Sequence, residues 1–166
     1  MGEQGGERPR PGPALETGGG GRQEPTLLSP AYIQFQRMPH RVASRYSAMA
    51  GKHILEIGGA QACIAAEAFL EDGAARVTVT GLDHISTEQE SSDQRLRILK
   101  ADGLDLRSQF EANSMDVVFG LSILEHIPEP DRFLEEVHRV LKPGGLALFE
   151  GNPLWSSAQG HHLWVS

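Results

Sequence analysis

The chain has 166 residues, room for one domain and a modest core, with an apolar content ordinary for a globular protein. It carries 22 acidic and 15 basic residues, a net charge of -7. That balance argues against nucleic acid as a partner, because holding a phosphate backbone needs an excess of Lys and Arg.

A single cysteine, Cys63, rules out an intrachain disulfide. It lies in an Ala-rich segment with no basic neighbour to lower its pKa, and reads as a small buried filler. No apolar run approaches the ~18 residues of a membrane span. The Met1–Pro13 stretch has no hydrophobic segment after its charges, unlike a secretory signal. The expectation is a cytoplasmic protein with neither membrane nor nucleic acid as partner.

In chain order, residues 1–29 are rich in Gly, Pro, Glu and Arg and are predicted to be a disordered tail, since they cannot bury enough apolar surface to offset ordering. The remaining residues, 30–166, are read as one domain: an N-terminal helix over 30–50, a core over 51–151, and a further segment from 152. Ser29 can cap the helix and Pro30 suits its first turn. Pro39 should break or kink it. Its aromatics, Tyr32, Phe35 and Tyr46, are expected to pack on the domain.

From Lys52 strands alternate with helices. "HILEIG" is an apolar run ending in glycine, "QACIAAEAFLEDG" a helix closed by Gly73, "ARVTVTGLD" and "RLRILKAD" two strands, and "SMDVVFGLS" a fourth. "PEPDRFLEEVHRVLKPGG" is a helix with Phe133, Leu134, Val137, Val140 and Leu141 on one face, ended by Lys142, Pro143 and Gly144. "LALFEG" is a fifth strand. Such alternation implies a Rossmann-like, doubly wound parallel sheet with helices on both faces. Ligands bind these sheets at the carboxyl ends of the strands.

The residues at those ends are therefore the candidates. "EIGGAQA" after the first strand places Glu56, Gly58, Gly59 and Ala60 in a sharp turn into a helix whose N-terminus offers N–H groups. The same turn would serve any α/β protein. Asp83 follows the second strand, about 25 residues beyond Gly58, a place from which a carboxylate can accept from ribose hydroxyls. A solvated loop residue or a cap is the alternative. Asp102 follows the third strand and can accept from an exocyclic amine, with Gly103 beside it, or else can cap "LRSQF". Beyond the fourth strand lie Ser122, Glu125 and His126, where a histidine can act as a general base or be structural.

With these residues in order, the chain resembles the class I S-adenosylmethionine-dependent methyltransferases, in particular the broad group of small-molecule enzymes called type 11. The resemblance spans roughly residues 50–151, and its most specific piece is "LSILEHI" followed by "FLEEVHRVLKPGGLALFE". It implies S-adenosylmethionine as cofactor, with Gly58 and Gly59 by its methionine part, Asp83 on the ribose, Asp102 by the adenine amine, and Leu121 and Ser122 facing cofactor and substrate. It also implies strand order 3-2-1-4-5. The sequence departs from the family in its first motif, usually Glu-x-Gly-x-Gly-x-Gly: Ala60 and Ala62 replace the later glycines, and alanine is penalised if the turn needs positive φ there. Ser122 stands where some relatives place a metal-binding glutamate, so no metal is predicted.

The segment "GNPLWSSAQGHHLWVS" follows the fifth strand, where the family often builds its acceptor pocket. Asn152, Trp155, His161 and His162 are the substrate-side candidates. The family fold continues with a helix and an antiparallel strand pair, whereas this sequence stops at Ser166. A missing C-terminal segment or a partner would then cover the fifth strand. The expected activity is methyl transfer to a small-molecule or glycan acceptor, with His126 as base; the alternative is a truncated, non-catalytic module that binds cofactor or a partner. A nicotinamide-binding protein is disfavoured because "GGAQA" lacks Gly-x-Gly-x-x-Gly spacing.

Overall fold

The computed structural model describes residues 29–60 and 62–151. The predicted tail before Ser29 and the segment after Gly151 lie outside these residues. Ser29 caps α1 (Pro30–Gln36) as its sequence suggests: its Oγ accepts from the Tyr32 amide at 3.2 Å, with Pro30 in the first turn. The break falls at Arg37, and α2 (Met38–Ala43) carries Pro39 in its first turn, where a missing N–H costs nothing. Residues 44–50 are turns rather than helix. Tyr32, Phe35 and Tyr46 are exposed, contrary to the expected packing. Polar links anchor these helices instead: Arg37 to Glu71 at 2.7 Å, and His40 to Asp72 at 3.2 Å with its ring edge on Phe69.

The sheet has six strands in the order β3-β4-β2-β1-β5-β6. They are β1 (His53–Ile57), β2 (Arg76–Gly81), β3 (Gln89–Glu90), β4 (Leu96–Lys100), β5 (Met115–Gly120) and β6 (Leu141–Phe149). The five longer strands pair in parallel, in the expected order 3-2-1-4-5. The two-residue β3, antiparallel to β4, is an addition that the polar "TEQE" did not announce.

Side chains alternate between two cores, one on each face. Ile54, Val77, Val79 and Phe119 join Ala65, Ala66 and Phe69 of α3 (Ile64–Glu71) on one side. Leu55, Ile57, Leu99 and Val118 join Phe133, Val137 and Val140 of α4 (Pro130–Val140) on the other. The central strands are therefore buried on both sides, as a covered parallel sheet requires, with Thr78 and Thr80 the polar exceptions on one face of β2.

Two local readings change. On α4 the buried face is Phe133, Glu136, Val137 and Val140, while Leu134 is 52% exposed. Positions three, four and seven beyond Phe133 share its stripe; position one does not. Glu136, at 1% exposure, is held by three donors: the Arg107 amide at 2.9 Å, the Arg107 guanidinium (Nε at 2.7 Å) and Arg139 at 3.4 Å. Burial opposes its ionisation, but these donors outweigh it and hold the carboxyl below its ordinary range. The second change is "LKPGG", which belongs to β6 rather than to a loop. The β5–β6 register shifts between Met115 and Val117, whose partners are Leu141 and Leu146. Lys142 reaches Asp116 at 2.7 Å, and Asp116 also accepts from the His53 amide at 2.9 Å. The lysine thus ties the start of β6 to β5 and β1.

Glu136→Ala is expected to cost about 1–3 kcal/mol, because the Arg107 amide loses its acceptor while the guanidinium can turn to water. Urea denaturation at neutral pH measures it. A lowered carboxyl pKa contributes stability above its unfolded value and loses it as pH falls through the folded value. The gap between wild type and variant should therefore shrink on acidification below the carboxylate range.

Candidate functional site

The carboxyl ends of β4, β2, β1 and β5 stand side by side, because these strands are neighbours and parallel. The turn after β1 is their meeting point. Gly58 has φ +73°, and a Cβ there would lie 2.3 Å from Cγ2 of Ile123. A Cβ on Gly59 would lie 2.4 Å from Val79 Cγ1 and 2.8 Å from the Glu56 carboxyl carbon. The space that glycine leaves is thus taken by the protein's own side chains. Gly58, Ala60 and Ala62 are exposed, and Gly59 is buried.

Positive φ falls at Gly58 and at Cys63 (φ 52°), and Ala60 does not have it. Alanine at position 60 therefore carries no left-handed penalty, which removes that objection there. Helix α3 starts at Ile64, three residues later than its sequence suggested, and no side chain among the described residues caps it. Its first amides keep the free N–H groups of a helix N-terminus. Cys63 is buried, and burial, with Glu56 and Glu67 nearby, pushes its thiol up to about 12. It is inert filler, as expected.

Glu56 is 5% exposed, and its Oε2 has no hydrogen-bond partner among the described residues. Burial raises its pKa from 4.5 to about 8. A protonated carboxyl is the form suited to such a place.

The other candidates stand around this turn. The Gly59 amide donates to the Thr80 carbonyl at 2.9 Å, fixing the turn to the end of β2, and exposed Asp83 lies three residues further on. Asp102 is exposed, and its Oδ1 accepts from the Leu104 amide at 2.9 Å, which orients the carboxylate. Gly103 packs on Ile57 and Phe133, so this loop folds over the end of β1. Leu121 and Ser122 are half-buried after β5, and Ser122 has φ 52°. His126 is exposed on the short 3-10 turn Leu124–His126. Asn152, Trp155, His161 and His162 lie outside the described residues. A surface hollow of about 290 Å³ lies elsewhere, lined by Arg37 and Glu71, which pair with each other, and by His40, which is hydrogen-bonded to Asp72.

Two residues of this region went unnoticed in the sequence. Ile123 reads as one more apolar residue of "LSILEHI", yet it plugs the turn. Glu150 accepts from the Ser122 amide at 3.1 Å and from Ser122 Oγ at 3.2 Å. An acid directly after the apolar run "LALF" was the available signal.

Residues 55–149 match the family model described as a methyltransferase domain. The chain belongs to the S-adenosylmethionine-dependent methyltransferase family. It is 31% identical over 127 residues to an uncharacterized methyltransferase of Mycobacteroides abscessus, covering 72% of this chain and 47% of that protein. It is 32% identical over 112 residues to the ubiquinone biosynthesis O-methyltransferase of Pseudomonas entomophila, covering 61% and 44%. The chain thus spans less than half the length of these curated relatives. A crystal structure of an S-adenosylmethionine-dependent methyltransferase candidate from Methanococcus maripaludis shares the fold, with a TM-score of 0.57, 15% identity, and coverage of 73% and 56%.

The residues present fit the family's cofactor. The uncapped start of α3 suits a carboxylate, Asp83 and Asp102 suit hydroxyl and amine donors, and Gly58 keeps the intervening backbone bare.

Two outcomes follow from this geometry. Gly58→Ala adds left-handed strain of roughly 1–2 kcal/mol and a Cβ that collides with Ile123, a further cost of about 1–3 kcal/mol. Combined with Ile123→Ala, which removes the colliding methyl, the total loss should fall short of the sum of the single variants in a denaturation cycle. For Glu56, a raised folded pKa favours the folded state at low pH, and that advantage is lost as pH rises from about 4.5 through about 8. Glu56→Gln stays neutral, so its stability relative to wild type should increase from pH 5 to pH 8.5; a flat difference in urea midpoints contradicts the buried protonated acid.

Proposed function

We propose that this chain holds S-adenosylmethionine along the carboxyl ends of β4, β2, β1 and β5 and transfers its methyl group to a hydroxyl of a small-molecule or glycan acceptor. The observation that carries this reading is the convergence of the turns on Gly58: the Thr80 carbonyl fixes Gly59, Ile123 packs on Gly58, and Gly103 packs on Ile57. When bound, the cofactor supplies an electrophilic methyl group on sulfur. The free amides at the start of α3 would hold its carboxylate. Asp83 would accept from the ribose hydroxyls, and Asp102, oriented by the Leu104 amide, from the adenine amine. Leu121 and Ser122 would line the methyl-donor side.

What remains for the protein is to place the acceptor in line and to take up its proton. His126, exposed on the turn beyond β5, is the base in this reading. The O-methyltransferase name of the Pseudomonas relative supports an oxygen acceptor. Asn152, Trp155, His161 and His162 follow directly after Gly151 in sequence and are proposed for the acceptor side, with Trp155 offering a stacking face for a sugar or aromatic ring. A partner or a further C-terminal segment is proposed along the outer side of β6, which pairs with no other strand among the described residues, and the setting proposed is cytoplasmic. Among the described residues no helix is long and apolar enough to cross a membrane.

Calorimetric titration with S-adenosylmethionine should show one saturable site, weakened by Asp83→Ala. His126→Ala should leave that binding intact while lowering turnover of a hydroxyl acceptor by about 10²–10⁴-fold. Absence of binding, or tighter binding of NAD, would overturn the cofactor assignment. Saturable binding with no transfer to any hydroxyl, amine or thiol acceptor would leave a cofactor-binding module.

A further inference from the structure

We infer that Glu150 is a positioning residue of the cofactor site, acting from β6 through Ser122 and Ile123 on the turn at Gly58. The inference deepens the function proposed above and rests on that reading for its binding consequence.

Ser122 is the residue that needs explaining. It leaves β5 in the left-handed region, at φ 52°, where a side-chain-bearing residue is disfavoured by roughly 1–2 kcal/mol. Such a conformation persists where its surroundings over-determine it. Here the surroundings are one carboxylate. Glu150 Oε2 accepts from the Ser122 amide at 3.1 Å and from its hydroxyl at 3.2 Å. The backbone of Glu150 adds two more links: its amide donates to the Gly120 carbonyl at 3.1 Å, and its carbonyl accepts from the Ile123 amide at 3.4 Å. The residue just past β6 thus grips Gly120, Ser122 and Ile123 together.

What this grip controls is Ile123. Its side chain stands where a Cβ on Gly58 would go, at 2.3 Å, and where a Cβ on Gly120 would go, at 2.4 Å. It is 7% exposed. The reverse turn at Ser122 is what sends the chain back so that Ile123 points into that gap. Without the carboxylate, Ser122 can relax toward ordinary φ, which swings Ile123 out and leaves the exposed face of Gly58 without its support. Glu150 itself need not touch the cofactor to set the turn that does.

Three full-length variants test this. In Glu150→Ala the oxygen that accepts both Ser122 bonds is lost, and binding of S-adenosylmethionine measured by calorimetry should weaken about tenfold. In Glu150→Gln the amide oxygen still accepts, and affinity should stay within about twofold of wild type. Glu150→Asp, which withdraws the carboxylate by one methylene, should behave like alanine and serves as the deletion if Glu150→Ala does not fold. Amide hydrogen exchange at Ser122 and Ile123 gives a readout independent of ligand: protection should fall in the alanine and aspartate variants and persist in the glutamine variant. Unchanged affinity and protection in both deletion variants would overturn the inference, as would equal losses in the glutamine and alanine variants. Wild type that binds no S-adenosylmethionine overturns the proposed function alone, and the exchange pattern then decides the role of Glu150.

Discussion

Much of the site hangs on one close approach: the side chain of Ile123 fills the gap left by the absent Cβ atoms of Gly58 and Gly120. It is a contact between the turn after β1 and the turn after β5. Those strands are neighbours in the sheet, so the contact joins the two halves of the fold at the place where strand order reverses. Glycine at 58 meets two demands there, since it takes φ +73° and leaves the gap. A side chain at that position would strain the backbone and displace Ile123 at once. Around this contact the other turns are secured by short links, Gly59 to Thr80 from β2 and Gly103 against Ile57 from β4.

The same economy explains why the altered motif is tolerated. In the sequence, Ala60 and Ala62 looked like damage to a glycine loop. The structure distributes the conformational demand differently: Gly58 takes the first left-handed step and Cys63 the second, immediately before α3. Ala60 lies between these steps without a positive φ. Glu56 adds an electrostatic layer beneath the turn. Its carboxyl, buried against Gly59, is pushed up to about 8 by desolvation.

Legibility in the sequence followed the strength of the local signal. The parallel strands were plain, because β-branched apolar runs buried on both faces have few other readings. The Ser29 cap and the Pro39 break were equally local, and both appear. The failures have a common origin in contacts between distant residues. Glu136 reads as a surface residue until Arg107, 29 residues away, brings it an amide and a guanidinium. Leu134 looked like core by composition but sits off the stripe. "LKPGG" carries every mark of a helix end, yet Lys142 has Asp116 to pair with, so the segment is drawn into β6 through a register shift. Strand-end acids were findable as positions, whereas Ile123 and Glu150 were not, because their importance lies in what they touch.

That distinction bears on how such a site is divided between ligand contact and support. Asp83, Asp102 and His126 are exposed and stand at strand ends, the placement of residues that meet a ligand. Gly59 and Ile123 are buried, and their close contacts are with other parts of the protein. Ser122 bridges the two sets: it is half-buried, strained, and held by Glu150. A ligand edge built from short loops gains precision only if each loop is tied to the sheet by something stiffer than itself. Here the ties are a carbonyl of β2, an isoleucine wedged between two glycines, and a carboxylate at the end of β6. The outermost parallel strand, which carries no proposed cofactor contact of its own, thereby contributes to the site through the geometry it imposes on its neighbour.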